Sequence, residues 1–268
     1  RCGLQIQLSK KWSSQLKFLI TNDDGIDSNG LYALAQTVTE LGHEAVVAAP
    51  SKNMSGVSAS LMPFDDHDRV AVEELEIPDL EGIKSFSVGA PPALIVMLAM
   101  LGGFGDPPDM VASGVNLGPN TGRSTLFSGT IAAVKTAARF DRSGIAVSIN
   151  YHSSIDTHEY WETAKEMTAQ PLQWLTSAPN ATMLNLNIPN KPLKEVLGFR
   201  QADLAHIGRV QTVITSKDST GIDIELEPCN DPVPEGTDSA LLEKDYATAT
   251  TLEPAKEADI DLPTKQWE

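Results

Sequence analysis

The chain has 268 residues, 41% hydrophobic and 21% charged, enough to bury one large core, and its 36 Asp and Glu against 20 Lys and Arg give a net charge of −16. A nucleic-acid polymer binder needs a basic footprint that this balance does not supply, and no apolar run reaches membrane-spanning length. Cys2 and Cys229 lie far apart and outside any Cys-x-x-Cys pattern, so they indicate neither a zinc site nor a disulfide framework and fit a reducing cytoplasm.

The first fifteen residues lack the apolar core of a signal peptide and read as an N-terminal extension. Residues 17–21 read as a buried strand that stops at Asn22-Asp23-Asp24-Gly25. Adjacent carboxylates at a strand end repel each other, and a hard divalent cation bound through oxygens resolves that conflict. The same four residues are also good turn chemistry, so a solvated turn is the competing reading. Leu31, Leu34, Ala35, Val38 and Leu41 then follow helical spacing up to a terminal Gly42, and residues 44–49 form a second strand closed by Pro50. Such a strand–helix–strand unit is right-handed and parallel.

A polar loop follows over 51–60, carrying Asn53, Ser55, Gly56 and Ser58. Strands are expected over 69–73 and 84–88, and Pro91-Pro92 opens a helix that Gly102-Gly103 ends. The next strand, 109–113, leads into a loop rich in glycine and asparagine, then a helix from about 129 to 140, and a buried strand over 144–149. A longer helix is expected over 157–175, bent or ended by Pro171, and a strand over 182–188. Beyond 190 the helical periodicity fades into short β-runs at 210–215, 222–227 and 246–252. The fold expected is α/β: a Rossmann-like, doubly wound, mostly parallel sheet with a C-terminal β-hairpin extension. The divisions are the extension over 1–15, a catalytic core over 16–190, a hairpin and oligomerisation segment over 191–252, and an acidic tail over 253–268.

In open α/β sheets ligands bind beyond the carboxyl ends of the strands, at the switch point. Three loops belong there: the one with Asp23 and Asp24, the one with Ser55, and the long one from Ser113-Gly114 through Asn116 and Asn120 to Ser128-Gly129-Thr130. Their donors are oxygens and amides, which suit Mg²⁺ or Mn²⁺ better than zinc or copper. Gly114, Gly118 and Gly122 allow close backbone approach, and Ser128-Gly129-Thr130 offers hydroxyls and N–H groups at a helix start, where an anion is favoured. Seen alone, that loop is equally a glycine-rich connector with an N-cap serine. The carboxylate pair on the same edge tips the reading toward phosphate chemistry.

Four ordered motifs, Thr21-Asn-Asp-Asp-Gly25, Ala49-Pro50 with Ser55-Gly56, Ser113-Gly-Val-Asn116 with Gly118 and Asn120, and Ser128-Gly129-Thr130, resemble those of the SurE survival-protein family of metal-dependent nucleotidases. Weaker similarity continues through Leu184-Asn-Leu-Asn-Ile-Pro189 and Gly236-Thr-Asp238. The resemblance implies a phosphomonoesterase acting on nucleoside monophosphates or other small phosphomonoesters. It implies one divalent cation per subunit, Mg²⁺ or Mn²⁺, held by Asp23, Asp24, Ser55 and Asn116, and assembly as a homodimer or homotetramer. On this reading Ser113, Gly114, Ser128, Gly129 and Thr130 bind phosphate and Asn120 orients phosphate or nucleophile. Asp23 either attacks phosphorus or only holds the metal. Where the family usually has Gly-Thr-Pro-Ala-Asp-Cys, this chain has Gly89-Ala-Pro-Pro-Ala-Leu94. A receiver-like signalling domain fits less well, since Asp109 begins its strand and no lysine closely follows Ile149; a non-catalytic nucleotide-binding module on the same fold stays open. None of the five histidines is singled out by its local spacing, although His152 or His206 could supply a proton.

Overall fold

The computed structural model describes residues 15–64, 68–151, 156–206, 210–228 and 232–253. Nearly all of the N-terminal extension, the acidic tail beyond Glu253, and His67, His152 and Cys229 lie outside the described residues. The strands are β1 (Lys17–Thr21), β2 (Glu44–Pro50), β3 (Val72–Leu75), β4 (Ser85–Val88), β5 (Met110–Leu117), β6 (Gly144–Asn150), β7 (Met183–Pro189), β8 (Phe199–Gln201), β9 (Val210–Lys217), β10 (Ile222–Pro228) and β11 (Ala247–Leu252). Between them run the helices α1 (Asn29–Glu40), α2 (Pro92–Met100), α3 (Gly129–Arg139), α4 (Trp161–Leu175) and α5 (Asp238–Leu242).

One nine-stranded sheet runs β3-β4-β2-β1-β5-β6-β7-β11-β8, and β9 and β10 form a separate antiparallel hairpin. The six strands from β4 to β7 are mutually parallel. Their order is that of the doubly wound dinucleotide-binding fold, with the switch point between β1 and β5. Alternation along the strands sends side chains to opposite faces. Phe18 and Ile20 join a core with Leu31, Leu34 and Val38 of α1 and Met167 and Leu172 of α4. Leu19 joins a second core with Ile95 and Val96 of α2 and Ala133 and Ala137 of α3. The mostly parallel α/β architecture and the hairpin both agree with the sequence expectation.

Several boundaries differ, each for a physical reason. β5 continues through Gly114 to Leu117 instead of ending at Ser113, with a register shift between Ser113 and Asn116. A Cβ at Gly114, whose φ is +127°, would lie 2.2 Å from the Val147 carbonyl oxygen of β6, so the glycine lets the strand pass where a side chain could not. α4 starts at Trp161, not 157, because the Tyr160 N–H donates to Asn190 Oδ1 and Asn190 Nδ2 donates to the His158 carbonyl. That helix runs past Pro171 to the fully buried Leu175. β11, expected with the hairpin, instead pairs antiparallel with β7 and lengthens the main sheet.

Candidate active site

The turn after β1 is shaped by Asn22, whose Nδ2 donates to the Gly25 carbonyl (2.9 Å) while its Oδ1 accepts the Gly25 N–H (3.2 Å). This reciprocal clasp points two successive carboxylates in different directions. Asp23, 3% exposed, faces the start of α3: its Oδ2 accepts the Gly129 N–H at 3.1 Å and its Oδ1 accepts the Thr130 hydroxyl at 2.6 Å. Asp24, half-buried, turns toward β5 and accepts the Leu117 N–H on Oδ2 at 3.4 Å. Both carboxylates thus tie the turn after β1 across the switch point, Asp24 to the end of β5 and Asp23 to the start of the helix that follows it.

The sequence reading gave the Gly129 N–H to a substrate phosphate. In the fold that N–H meets Asp23, so the anion at this helix start is the protein's own carboxylate, as the helix dipole favours. Ser128 is the N-cap, its Oγ accepting the Ile131 N–H at 3.1 Å, which leaves its hydroxyl proton as a donor. The loop with Ser55 is tied to both sides: Met54 N–H donates to the Asp23 carbonyl (2.7 Å), and Ser58 donates through N–H to the Phe127 carbonyl and through Oγ to the Leu126 carbonyl. Ser55 itself is exposed, one residue past the Met54 anchor. Asn116 donates from Nδ2 to the Gly118 carbonyl at 2.7 Å, which leaves its amide oxygen as the end available to a cation.

The other expected residues sit deeper. Ser113 is fully buried in β5, in register with Thr21, and neither hydroxyl has a hydrogen-bond partner among the described residues. Gly114 serves strand closure, as its contact with Val147 shows. Asn120 is buried in an amide network: Nδ2 donates to Ser148 Oγ, its N–H to Asn187 Oδ1, and its carbonyl accepts Asn185 Nδ2 and Asn187 Nδ2. The sequence reading gave no role to Asn185 and Asn187, although asparagines at i and i+2 in an apolar strand lie on one face and signal such a network. It likewise gave none to Asp238, a fully buried carboxylate on α5 that accepts backbone N–H groups from three segments. His206 is exposed.

Burial raises the Asp23 carboxyl pKa, against the hydrogen bonds from Thr130 and Gly129. Burial first, then the neighbouring Asp23 charge, pushes Asp24 up from 3.8 to about 7. Two adjacent carboxylates that resist ionising together form an oxygen-donor site short of positive charge. No cluster of three or more His, Cys, Asp or Glu side chains that could hold a metal ion is found among the described residues. A consequence follows for the metal-free protein. Asp24 has a folded pKa above its unfolded one, so the stability linked to it is present below about pH 4 and is lost as pH rises through about 7. Melting temperature measured in chelator should fall over that window, and Asp24→Asn should flatten the fall.

The doubly wound order, with a carboxylate pair at the switch point and a glycine-rich loop leading to a capped helix, defines a Rossmann-like α/β protein with an oxygen-lined candidate site at the switch point. The family model described as Survival protein SurE matches residues 18–211. The 5'-nucleotidase SurE of Aeromonas hydrophila is 32% identical over 245 residues, 88% of this chain and 92% of that protein. The 5'-nucleotidase SurE of Coxiella burnetii is 35% identical over 216 residues, covering 80% and 78%. The 5'/3'-nucleotidase SurE of Cronobacter sakazakii is 32% identical over 242 residues, covering 88% and 90%. The crystal structure of the SurE protein from Aquifex aeolicus superposes with a TM-score of 0.69 at 28% identity, covering 88% of this chain and 93% of that one. The chain belongs to the SurE survival-protein family.

Proposed function

We propose that this chain is a nucleotidase, a phosphoric monoester hydrolase that releases phosphate from nucleoside monophosphates with the help of one divalent cation, Mg²⁺ or Mn²⁺. The observation that carries the reading is the Asp23–Asp24 pair at the switch point, Asp23 buried and Asp24 half-buried, mutually repelling and held by separate elements. Its support from relatives is the nucleotidase activity named for those of Aeromonas, Coxiella and Cronobacter.

Asp23, Asp24, Asn116 and Ser55 would hold the cation. When bound, it would neutralise charge on the phosphoryl group and lower the pKa of an attacking water. The protein's own part is positional. Both Asp23 oxygens are fixed by α3, which suits a carboxylate that orients rather than one that swings to attack. The Ser128 hydroxyl has a donor to spare for a phosphate oxygen at a helix start. Leu126 and Phe127, 58% and 66% exposed, stand beside it as apolar surface for the nucleoside part of a substrate. Phosphate release measured over 5'- and 3'-nucleoside monophosphates and sugar phosphates tests the substrate class: nucleotides should be preferred, and equal rates on all would remove the nucleoside from the reading.

Assembly belongs to the same proposal. The hairpin exposes Ile214, Ile222 and Ile224, an apolar surface that an identical partner would cover in a homodimer or homotetramer. Light scattering at micromolar concentration should give a dimer or tetramer; a monomer would contradict it. No described helix is long and apolar enough to cross a membrane.

A further inference from the structure

Asp238 lies far in sequence from the candidate ligands, yet its carboxylate joins three segments. Oδ2 accepts the Gly122 N–H at 2.8 Å, and Oδ1 accepts the Ala205 N–H at 2.9 Å and the N–H of Ser239 at 2.8 Å. A second bond runs alongside, from Ser239 Oγ to Thr121 Oγ1 at 3.0 Å. A fully buried carboxylate is costly to hold, and here backbone dipoles from all three segments surround it.

Each segment has a distinct duty. Gly122 opens the 3-10 turn Gly122–Leu126, in which Thr125 Oγ1 donates to the Gly122 carbonyl and the Phe127 N–H to the Ser124 carbonyl. The next residue is Ser128, cap of the helix whose first two residues hold Asp23. Ala205 precedes the β9–β10 hairpin and Asp238 follows it. Their two strands of chain are closed by the Asp203–Thr237 bridge and by the Asp238 N–H to Asp203 carbonyl bond of 2.8 Å. A displacement of the hairpin root therefore pulls on the same carboxylate that sets the start of the 122–128 turn.

We propose that Asp238 is a positioning residue that clasps the hairpin root to the loop carrying Ser128, so that the set of the α3 start depends on how the C-terminal segment is seated. The inference rests on the nucleotidase reading for its kinetic consequence but not for its structural one. Asparagine is the informative replacement. Whichever way its amide turns, an NH₂ faces a backbone N–H, and the Gly122 contact and the Ala205–Ser239 contacts can no longer be satisfied together.

The experiment is Asp238→Asn against the parent, read by steady-state kinetics per folded molecule, by the melting shift on adding Mn²⁺, and by amide hydrogen exchange. The expected result is a kcat about tenfold lower, as for a displaced catalytic group, with KM near the parent's and a smaller Mn²⁺ shift, because the α3 start holds Asp23. Exchange should rise in residues 118–128 and not in β1 or β5. A purely structural role would lower stability with and without metal alike and leave kcat per folded molecule unchanged. That result, or unchanged exchange in 118–128, would overturn the proposal. Thr121→Val, which removes only the Ser239 Oγ acceptor, gives a milder change of the same sign; if Asp238→Asn does not fold, unchanged loop exchange in Thr121→Val overturns it instead. An inactive parent would overturn the nucleotidase reading alone, because loop exchange still decides the clasp.

Discussion

Asp23→Asn and Asp24→Asn should each lower phosphate release by at least about two orders of magnitude, the scale of losing a main electrostatic contribution to a transition state. Both substitutions keep size and hydrogen-bonding reach and remove one negative charge. At Asp23 the asparagine oxygen can keep the Gly129 N–H while its NH₂ meets the Thr130 hydroxyl, which rotates to accept, so α3 keeps its place. Folding should therefore survive, and without metal the melting temperature at neutral pH should stay level or rise, because burial and mutual repulsion both penalise ionised carboxylates here. Stabilisation by added Mg²⁺ or Mn²⁺ should shrink in both variants, since it follows the ratio of free metal to dissociation constant. Opposed movements of metal-free and metal-bound stability from one substitution are specific to a cation site. A solvated turn would give changes within roughly half a kcal/mol and no altered metal response.

Gly129→Ala should be nearly as damaging, for a steric reason that the sequence does not contain. A Cβ on Gly129 would lie 2.8 Å from Asp23 Cβ and 2.8 Å from its Oδ2, closer than real contacts allow. Asp23 must move, and a shift of one carboxylate by about an ångström can cost a hundredfold in rate. Metal-induced stabilisation should fall together with activity, because the residue displaced is a candidate metal ligand. At an ordinary helix start, alanine for glycine is neutral or stabilising. A melting curve with and without Mn²⁺, alongside the far-ultraviolet spectrum, separates the two cases: helix content retained with metal response lost is the expected pair.

These two predictions mark where sequence reading succeeded and where it stopped. The apolar run ending at Asp23 and Asp24 was legible because strand and turn chemistry are local, and the strand–helix–strand pattern placed that end at the switch point. The destination of Asp23 was not legible, since Gly129 and Thr130 are more than a hundred positions away in sequence and only the fold brings them to its oxygens. The same non-locality hid the start of α4, fixed by Asn190, and the membership of β11 in the main sheet. Gly114 misled in a different way. A glycine followed closely by asparagine and proline reads as loop, yet here the missing side chain lets β5 continue against β6. Asp238 was visible as a motif residue, but beside the adjacent Ser239 its backbone donors Gly122 and Ala205 come from distant parts of the chain, which no spacing rule could assemble.

The most direct test of the account is phosphate release from a nucleoside 5'-monophosphate by the unaltered protein, after chelation and again after stepwise return of Mg²⁺ or Mn²⁺. The account predicts no turnover above background in chelator and a rate that rises with metal to saturation. Undiminished turnover in chelator, or none at any metal concentration by a folded protein, would contradict it.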